Sequence, residues 1–451
     1  MTTSLHFAEA LLPNGWARNV RVELAEGYFA EVTPDASPQS ADQRFAVALP
    51  GLPNLHSHAF QRGMAGLAER RGTNCDSFWT WREAMYRFVD RIGPDDLLAI
   101  AAMAYAEMLE SGFTRVGEFH YLHHDPAGVP YAGAPMAEAL AAAAAETGIA
   151  LTLLPVIYAH AGFGGQAPGQ GQRRFVCDLD LFAQIHAASG AALAALPDAV
   201  LGLAPHSLRA VTPEQLSELI ALDPVAPLHI HIAEQQAEVA DCVAWSGARP
   251  VQWLLDHAPV DRRWCLVHAT HITPAESAAL AASGAVVGLC PITEANLGDG
   301  LFPTPAYLAA GGRFGIGSDS NVLIDAAEEL RWLEYGQRLS GRARNLFAKA
   351  PGGSTGGDLL RDALAGGAQA LGAVSEIAVG RSADFLTLDP HHPSLTGASG
   401  DDWLDGWIFA AGRAGIDSVW RRGQCVVTGA RHLSREAITA RYRATLARLL
   451  A

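Results

Sequence analysis

The chain has 451 residues, 49% hydrophobic and 18% charged, with a formal charge of −15 and no Lys/Arg-rich stripe to offset it. That balance excludes a nucleic-acid binder working through a basic face, and no apolar run approaches the ~20 residues of a membrane span. Six scattered cysteines (Cys75, Cys177, Cys242, Cys265, Cys290, Cys425) form no Cys-x-x-Cys pair, and Met-Thr-Thr-Ser-Leu-His-Phe lacks the basic and apolar regions of a signal peptide. Free thiols and a cytoplasmic location are therefore expected.

Residues 1–48 open with alternating apolar and polar positions, as in Val20-Arg21-Val22-Glu23-Leu24 and Tyr28-Phe29-Ala30-Glu31-Val32, the period of half-exposed strands. The same texture returns in Asp384-Phe385-Leu386-Thr387-Leu388, Ser418-Val419-Trp420 and Cys425-Val426-Val427. The two ends are thus expected to share a small β-sandwich domain, 1–48 with 379–430. Over 49–378, apolar runs alternate with polar turns and helix-like segments such as the Ala-rich 135–145 and 274–282. The eight strand candidates are 45–49, 113–117, 151–157, 200–204, 227–232, 264–267, 286–289 and 313–316. Eight alternating strands and helices predict an α/β fold, a parallel sheet closed into a (β/α)8 barrel. A helix is expected within 431–451, and the Gly-rich 162–171 and 351–357 are expected as surface loops; the first lacks the Lys-Ser/Thr ending of a phosphate loop.

In such a barrel, chemistry gathers at the C-terminal ends of the strands. The sequence places His56 and His58 after the first strand, Glu118 and Tyr121 after the second, and His206 and Arg209 after the fourth. His231 and Glu234 follow the fifth, His268 the sixth and Asp319 the eighth. Both imidazoles of His56-Ser57-His58 fall on one face of a strand. With His231 and Asp319 they form an N3O donor set suited to zinc plus a bound water, whose pKa zinc lowers to ~7. His229-Ile230-His231 is a second His-x-His; His231, nearer the strand end and three residues before Glu234, is assigned as the ligand and His229 to the core. Glu234 is the carboxylate best placed to carry protons between water and a substrate nitrogen. His268, ahead of His271, can polarise the attacked group or contact the metal, and Glu118 is expected as a buried partner of these groups. Lys349 is the one lysine among 32 basic residues and lies far beyond the fourth strand, so no carboxylated lysine can bridge two metals there. A single metal is favoured.

Pro50-Gly51, His56-Ser57-His58, His231-Ile232-Ala233-Glu234, His268-Ala269, Gly317-Ser318-Asp319 and Val379-Gly380-Arg381-Ser382-Ala383-Asp384 together resemble the amidohydrolase superfamily along nearly the whole chain. His-x-x-Glu with Ser-Asp is similar to its deaminase branch. The resemblance implies attack by hydroxide on an amidine-type carbon with loss of ammonia. It implies one zinc ion, or another divalent metal such as iron, on His56, His58, His231 and Asp319, with Glu234, His268 and Asp319 as catalytic groups.

Within the branch, five local words are similar to the family of N-formimino-L-glutamate deiminases of histidine degradation. They are Asn54-Leu-His-Ser-His58-Ala-Phe-Gln61-Arg62-Gly63, Phe78-Trp79-Thr80-Trp81-Arg82, Gly117-Glu118-Phe119-His120-Tyr121, Ala204-Pro205-His206-Ser207-Leu208-Arg209 and His229-Ile-His-Ile-Ala-Glu-Gln235. That likeness implies a small dicarboxylate substrate, for which Arg82 and Arg209 are suitable bidentate partners and Gln61, Tyr121 and His206 complete the hydrogen bonds. The segment 291–298 resembles the family's seventh-strand loop, with Glu294 where relatives often carry a neutral residue and Asp299 beside it as a candidate pocket boundary.

Two other readings stay open at this stage. A guanine, adenosine or triazine deaminase of the same branch would want aromatic stacking and few cations, which the Arg82 and Arg209 pair opposes. A noncatalytic metal-containing barrel with a binding or scaffold role would not need acidic and imidazole groups at every active strand end. By analogy with such barrels a homodimer is expected, with no nucleic-acid or membrane partner.

Overall fold

The computed structural model describes residues 3–69, 71 and 78–451. Strands Thr3–Leu12, Gly15–Ala25, Tyr28–Thr33 and Gln43–Pro50 share one eight-stranded sheet with Phe385–Leu388, Ile416–Arg421, Gln424–Thr428 and Arg431–His432. The two ends of the chain meet where Gln43–Pro50 runs antiparallel to Phe385–Leu388 and parallel to Thr3–Leu12. Period-two alternation buries Leu5, Phe7, Val20, Val22, Phe29 and Trp420 in one cluster. There Phe385 meets Phe7 edge-on at 5.5 Å and stacks on Trp420 at 5.4 Å.

The run 45–49, expected as the first barrel strand, belongs instead to this terminal sheet. The chain changes partners at Gly51, whose N–H donates to Asp384 O at 3.1 Å, while Leu52 N–H donates to Gly112 O at 3.1 Å. A Cβ at Gly51 would lie 2.3 Å from the Thr114 side chain, so only glycine fits this crossing. Two apolar runs separated by one residue read as one in the sequence, which is why the first strand was misplaced.

The barrel strands are β1 (Leu52–Ser57), β2 (Phe113–His120), β3 (Ala150–Ile157), β4 (Val200–Leu201 continued by Ala204–Pro205), β5 (Leu228–Ile232), β6 (Trp264–His268), β7 (Val286–Leu289) and β8 (Arg313–Ile316). Strands β1–β4 and β5–β8 form two parallel stretches, joined by bridges Leu203–Leu228 and Ser207–His231 on one side and Ser57–Asp319 on the other. The second seam positions the site directly. His58 N–H donates to Asp319 O at 2.9 Å, and Asp319 N–H to His56 O at 3.0 Å.

The surrounding helices begin at ordinary start signals. Proline opens Pro94–Glu110, Pro135–Thr147, Pro213–Leu222 and Pro274–Ser283, and the last two carry capping boxes from Thr212 to Gln215 and from Thr273 to Glu276. Part of the Gly-rich 351–357 is helical rather than loop: Ser354 caps Thr355–Ala370, with Gly357 N–H donating to its Oγ at 2.8 Å. A Cβ at Gly356 would lie 3.0 Å from the Asp405 backbone, so the glycine serves close packing. Helix Arg435–Leu450 packs on Pro94–Glu110, with Arg435 paired to Glu110 at 2.8 Å.

Candidate active site

His56 lies in β1, His58 just beyond it, His231 in β5 and Asp319 three residues past β8, and all four are buried. One donor atom from each falls within 4.8 Å of the others. His56 Nε2 is 3.1 Å from His58 Nε2 and 3.0 Å from His231 Nε2, while Asp319 Oδ1 lies 3.5 Å from His56 and 3.3 Å from His58. The second nitrogens set the tautomers: His58 Nδ1–H donates to Phe119 O at 2.9 Å and His231 Nδ1–H to His206 O at 3.1 Å. Their Nε2 lone pairs therefore converge on one point.

Burial drives the His56 imidazolium down to about 3 although Asp319 opposes it, and His58 and His231 are lowered chiefly by burial as well. Burial alone would raise Asp319, but the hydrogen bond from His56 and the neighbouring imidazoles hold it below the usual carboxylate range. Three neutral imidazoles and a carboxylate, buried with lone pairs facing one another, fit a divalent cation of zinc type. The close approach of β8 to β1 depends on Gly317, where a Cβ would lie 2.8 Å from His56 O.

Beside the cluster, His268 Nε2 is 3.7 Å from Asp319 Oδ2 and 3.9 Å from Glu234 Oε1, while its Nδ1–H donates to Glu294 Oε1 at 3.2 Å. Burial disfavours the imidazolium, but Glu234, Glu294 and Asp319 outweigh it and raise His268 to about 10. Burial pushes Glu234 up to about 7, partly countered by His268. A positive acid and a near-neutral carboxylate thus sit side by side. The turns that aim them are strained: Ala233, His268, Ala269 and Asp319 have φ of 50°, 66°, 47° and 45°, in the left-handed region.

His58, His231, Glu234, His268 and Asp319 line a cavity that also takes in Gln61, Arg82, Tyr121, His206 and Arg209, while His56 and Glu294 stay outside its lining. Gln61 Nε2 donates to the Tyr121 hydroxyl at 3.0 Å, leaving the buried Gln61 Oε1 without a partner among the described residues. Arg82 lies over the Tyr86 ring at 5.6 Å. Burial opposes the Arg209 charge, but Glu238 and Tyr158 help hold its pKa above the usual value, and its buried Nε has no partner among the described residues.

The residues singled out in the sequence do not all reach this cavity. His229 Nε2 bonds Ala370 O at 2.7 Å, away from the cluster. Glu118 accepts Ala59 N–H at 2.7 Å behind the cluster, with burial pushing it up to about 8. His271 borders a separate groove, and Asp299 holds Gln235, the neighbour of Glu234, outside the cavity lining. Tyr86, Tyr158 and Phe175 form aromatic walls that sequence reasoning missed. Tyr158 directly follows β3, the only signal that could have found it. Lys349 is at the surface with Asp362, 2.5 Å away. The five described cysteines are free thiols, and Cys75 lies outside the described residues. Among the described residues no helix is long and apolar enough to cross a membrane.

Over residues 47–426 the chain matches the Amidohydrolase family, and over residues 2–46 the family described as Formimidoylglutamate deiminase HutF, N-terminal domain. It is 54% identical over 435 residues to a formimidoylglutamate deiminase of Pseudomonas aeruginosa, covering 95% of this chain and 96% of that one. An 8-oxoguanine deaminase of the same species is 29% identical over 448 residues, covering 95% and 93%. The crystal structure of an amidohydrolase from Brucella melitensis superposes with a TM-score of 0.97 at 53% identity, over 100% of both chains.

Proposed function

The chain belongs to the amidohydrolase family, and on that premise we propose that it hydrolyses N-formimino-L-glutamate to N-formyl-L-glutamate and ammonia in histidine degradation. The observation that carries this reading is one cavity holding both halves of the chemistry. Its lining brings His58, His231 and Asp319 of the donor cluster together with Glu234, His268 and two arginines for two carboxylates. The identity to the Pseudomonas aeruginosa deiminase supports the substrate.

A divalent cation on His56, His58, His231 and Asp319 supplies Lewis acidity that makes hydroxide available near pH 7. Water adds to the formimino carbon, and the C–N bond to the terminal nitrogen breaks as ammonia leaves. Glu234 moves one proton from the water, and a second from the new hydroxyl, to that nitrogen. Protonated His268, 3.9 Å from Glu234, stabilises negative charge on the added oxygen. Arg82 and Arg209 hold the carboxylates, and Gln61, Tyr121 and His206 orient the chain between them.

The cation is read as a single zinc ion, with iron as the other divalent candidate. The same reading divides the chain into a terminal β domain (1–50 with 379–432), a catalytic barrel (51–378) and a closing helix (433–451), the expected bounds at 48 and 430 moving outward with the sheet. It places the enzyme in the cytoplasm, supported by the free thiols, and as a homodimer by analogy with related barrels. The test is ammonia release from N-formimino-L-glutamate by zinc-loaded protein with the product identified by mass. Formation of N-formylglutamate supports the proposal; turnover of a purine or triazine ring instead would replace it.

A further inference from the structure

Three successive barrel strands end in a second set of donors. His268 closes β6, Cys290 follows β7 and Asp319 lies beyond β8; all three are buried, with one donor atom of each within 4.8 Å of the others. Asp319 faces two ways. Its Oδ1 is turned to His56 and His58, whereas Oδ2 lies 3.7 Å from His268 Nε2. The His268 Nδ1–H is engaged with Glu294, which leaves Nε2 as the ring atom facing this second point. Cys290 is anchored beside it, its N–H donating to the same Glu294 oxygen at 3.0 Å.

We propose that His268 Nε2, Cys290 Sγ and Asp319 Oδ2 form a second, inhibitory divalent-cation site, sharing Asp319 with the first and filled by zinc, cobalt or cadmium beyond one equivalent. The surroundings favour a cation, since the Glu234 and Glu294 carboxylates both lie against the His268 ring, 3.9 Å and 3.2 Å from its nitrogens. The thiolate selects soft and borderline ions over magnesium or calcium.

The inhibitory part rests on the proposed function, because the second ion occupies His268 and lies beside Glu234, the two proton-handling groups. Loss of that acid–base function predicts a fall in turnover of at least about 100-fold at two equivalents.

The experiment is a titration of the metal-free protein with Co2+, following bound metal, absorption and turnover of N-formimino-L-glutamate. The first equivalent is expected to restore turnover without thiolate absorption. The second is expected to bring a thiolate-to-cobalt charge-transfer band and suppress turnover. Cys290→Ser and Cys290→Ala are expected to bind the first equivalent, keep basal activity and lose the band and the inhibition. X-ray absorption of the unsubstituted protein at two equivalents, showing sulfur bound to cobalt, decides the point if both variants misfold. A failure to take up a second equivalent, or its uptake without sulfur, would overturn the proposal. Absence of turnover at every loading would count against the deiminase reading, while the band and the sulfur ligand would still decide this site.

Discussion

Glu294 and His268 are joined across the ends of β7 and β6, with His268 Nδ1–H donating to Glu294 Oε1 at 3.2 Å. The pair gives Glu294, which had no mechanistic account in the sequence, a positioning role. It fixes the ring so that Nε2 faces Glu234 and Asp319, and its charge favours the imidazolium. Glu294→Gln keeps an acceptor but loses the charge, so kcat is expected to fall about 10-fold and the basic limb of the pH profile to move to lower pH. Glu294→Ala is expected to lose more. A basic limb unmoved in both variants would remove Glu294 from this role.

Glu234 accounts for the acid limb. Burial disfavours its charged form and raises it to about 7, so the carboxylate, the form that accepts a proton, accumulates as pH rises. At a pKa of 7 it is only about one-tenth ionised at pH 6 and about nine-tenths at pH 8. A cation in the adjacent cluster adds attraction for the carboxylate, so the limb in kcat/KM is expected at or somewhat below 7. Glu234→Gln is expected to keep its metal, lose at least ~100-fold in kcat and abolish that limb. Full turnover in this variant would dismiss the proton-shuttle assignment.

Arg209 is expected to act on binding rather than chemistry. Its buried Nε has no partner among the described residues and it lines the cavity with Arg82, an arrangement suited to a substrate carboxylate. A charge-assisted hydrogen bond contributes about 1.5–3 kcal/mol, so Arg209→Ala should raise KM by roughly 10- to 150-fold with kcat little changed. Arg209→Lys should recover only part, because the fork is lost. Steady-state kinetics on both variants checks the split.

The order of the donors along the chain was legible because barrel topology brings strand ends together whatever the intervening sequence. His56, His58, His231 and Asp319 could be chosen on that ground alone, and the fold clusters them. Which member of His229-Ile230-His231 joins them depends on depth along β5, and there proximity to the strand end was a usable signal. The start of β1 was not legible, since the partner change at Gly51 is a long-range event involving Asp384 and Gly112. The aromatic walls were also missed, because Tyr86 and Phe175 come from segments between strands whose return to the cavity leaves no local periodicity.

The two histidines of β5 therefore separate experimentally. His231→Ala should abolish stoichiometric metal binding, whereas His229→Gln should retain the metal at one equivalent. Loss of the buried His229 hydrogen bond to Ala370 should cost about 1–3 kcal/mol of stability. Metal analysis beside thermal unfolding distinguishes them; a metal-free His229→Gln protein that remains folded would reverse the assignment.

Gly317 offers a test of the scaffold independent of any titrating group. Its neighbours are rigid: a Cβ there would lie 2.8 Å from His56 O and 2.9 Å from both His56 N and His56 Cβ. No flexible side-chain end is available to yield, so Gly317→Ala must push β8 away from β1. Overpacking of this kind typically costs about 1–3 kcal/mol. The displaced segment carries Asp319, whose N–H is bonded to His56 O at 3.0 Å and whose carbonyl accepts His58 N–H at 2.9 Å. The same shift that destabilises the barrel therefore separates the carboxylate from the imidazoles. The expected result is weakened metal affinity in protein that still folds, read as loss of zinc at chelator concentrations the unsubstituted protein withstands. Unchanged zinc retention together with an unchanged melting temperature would mean that this seam does not set the geometry of the donors.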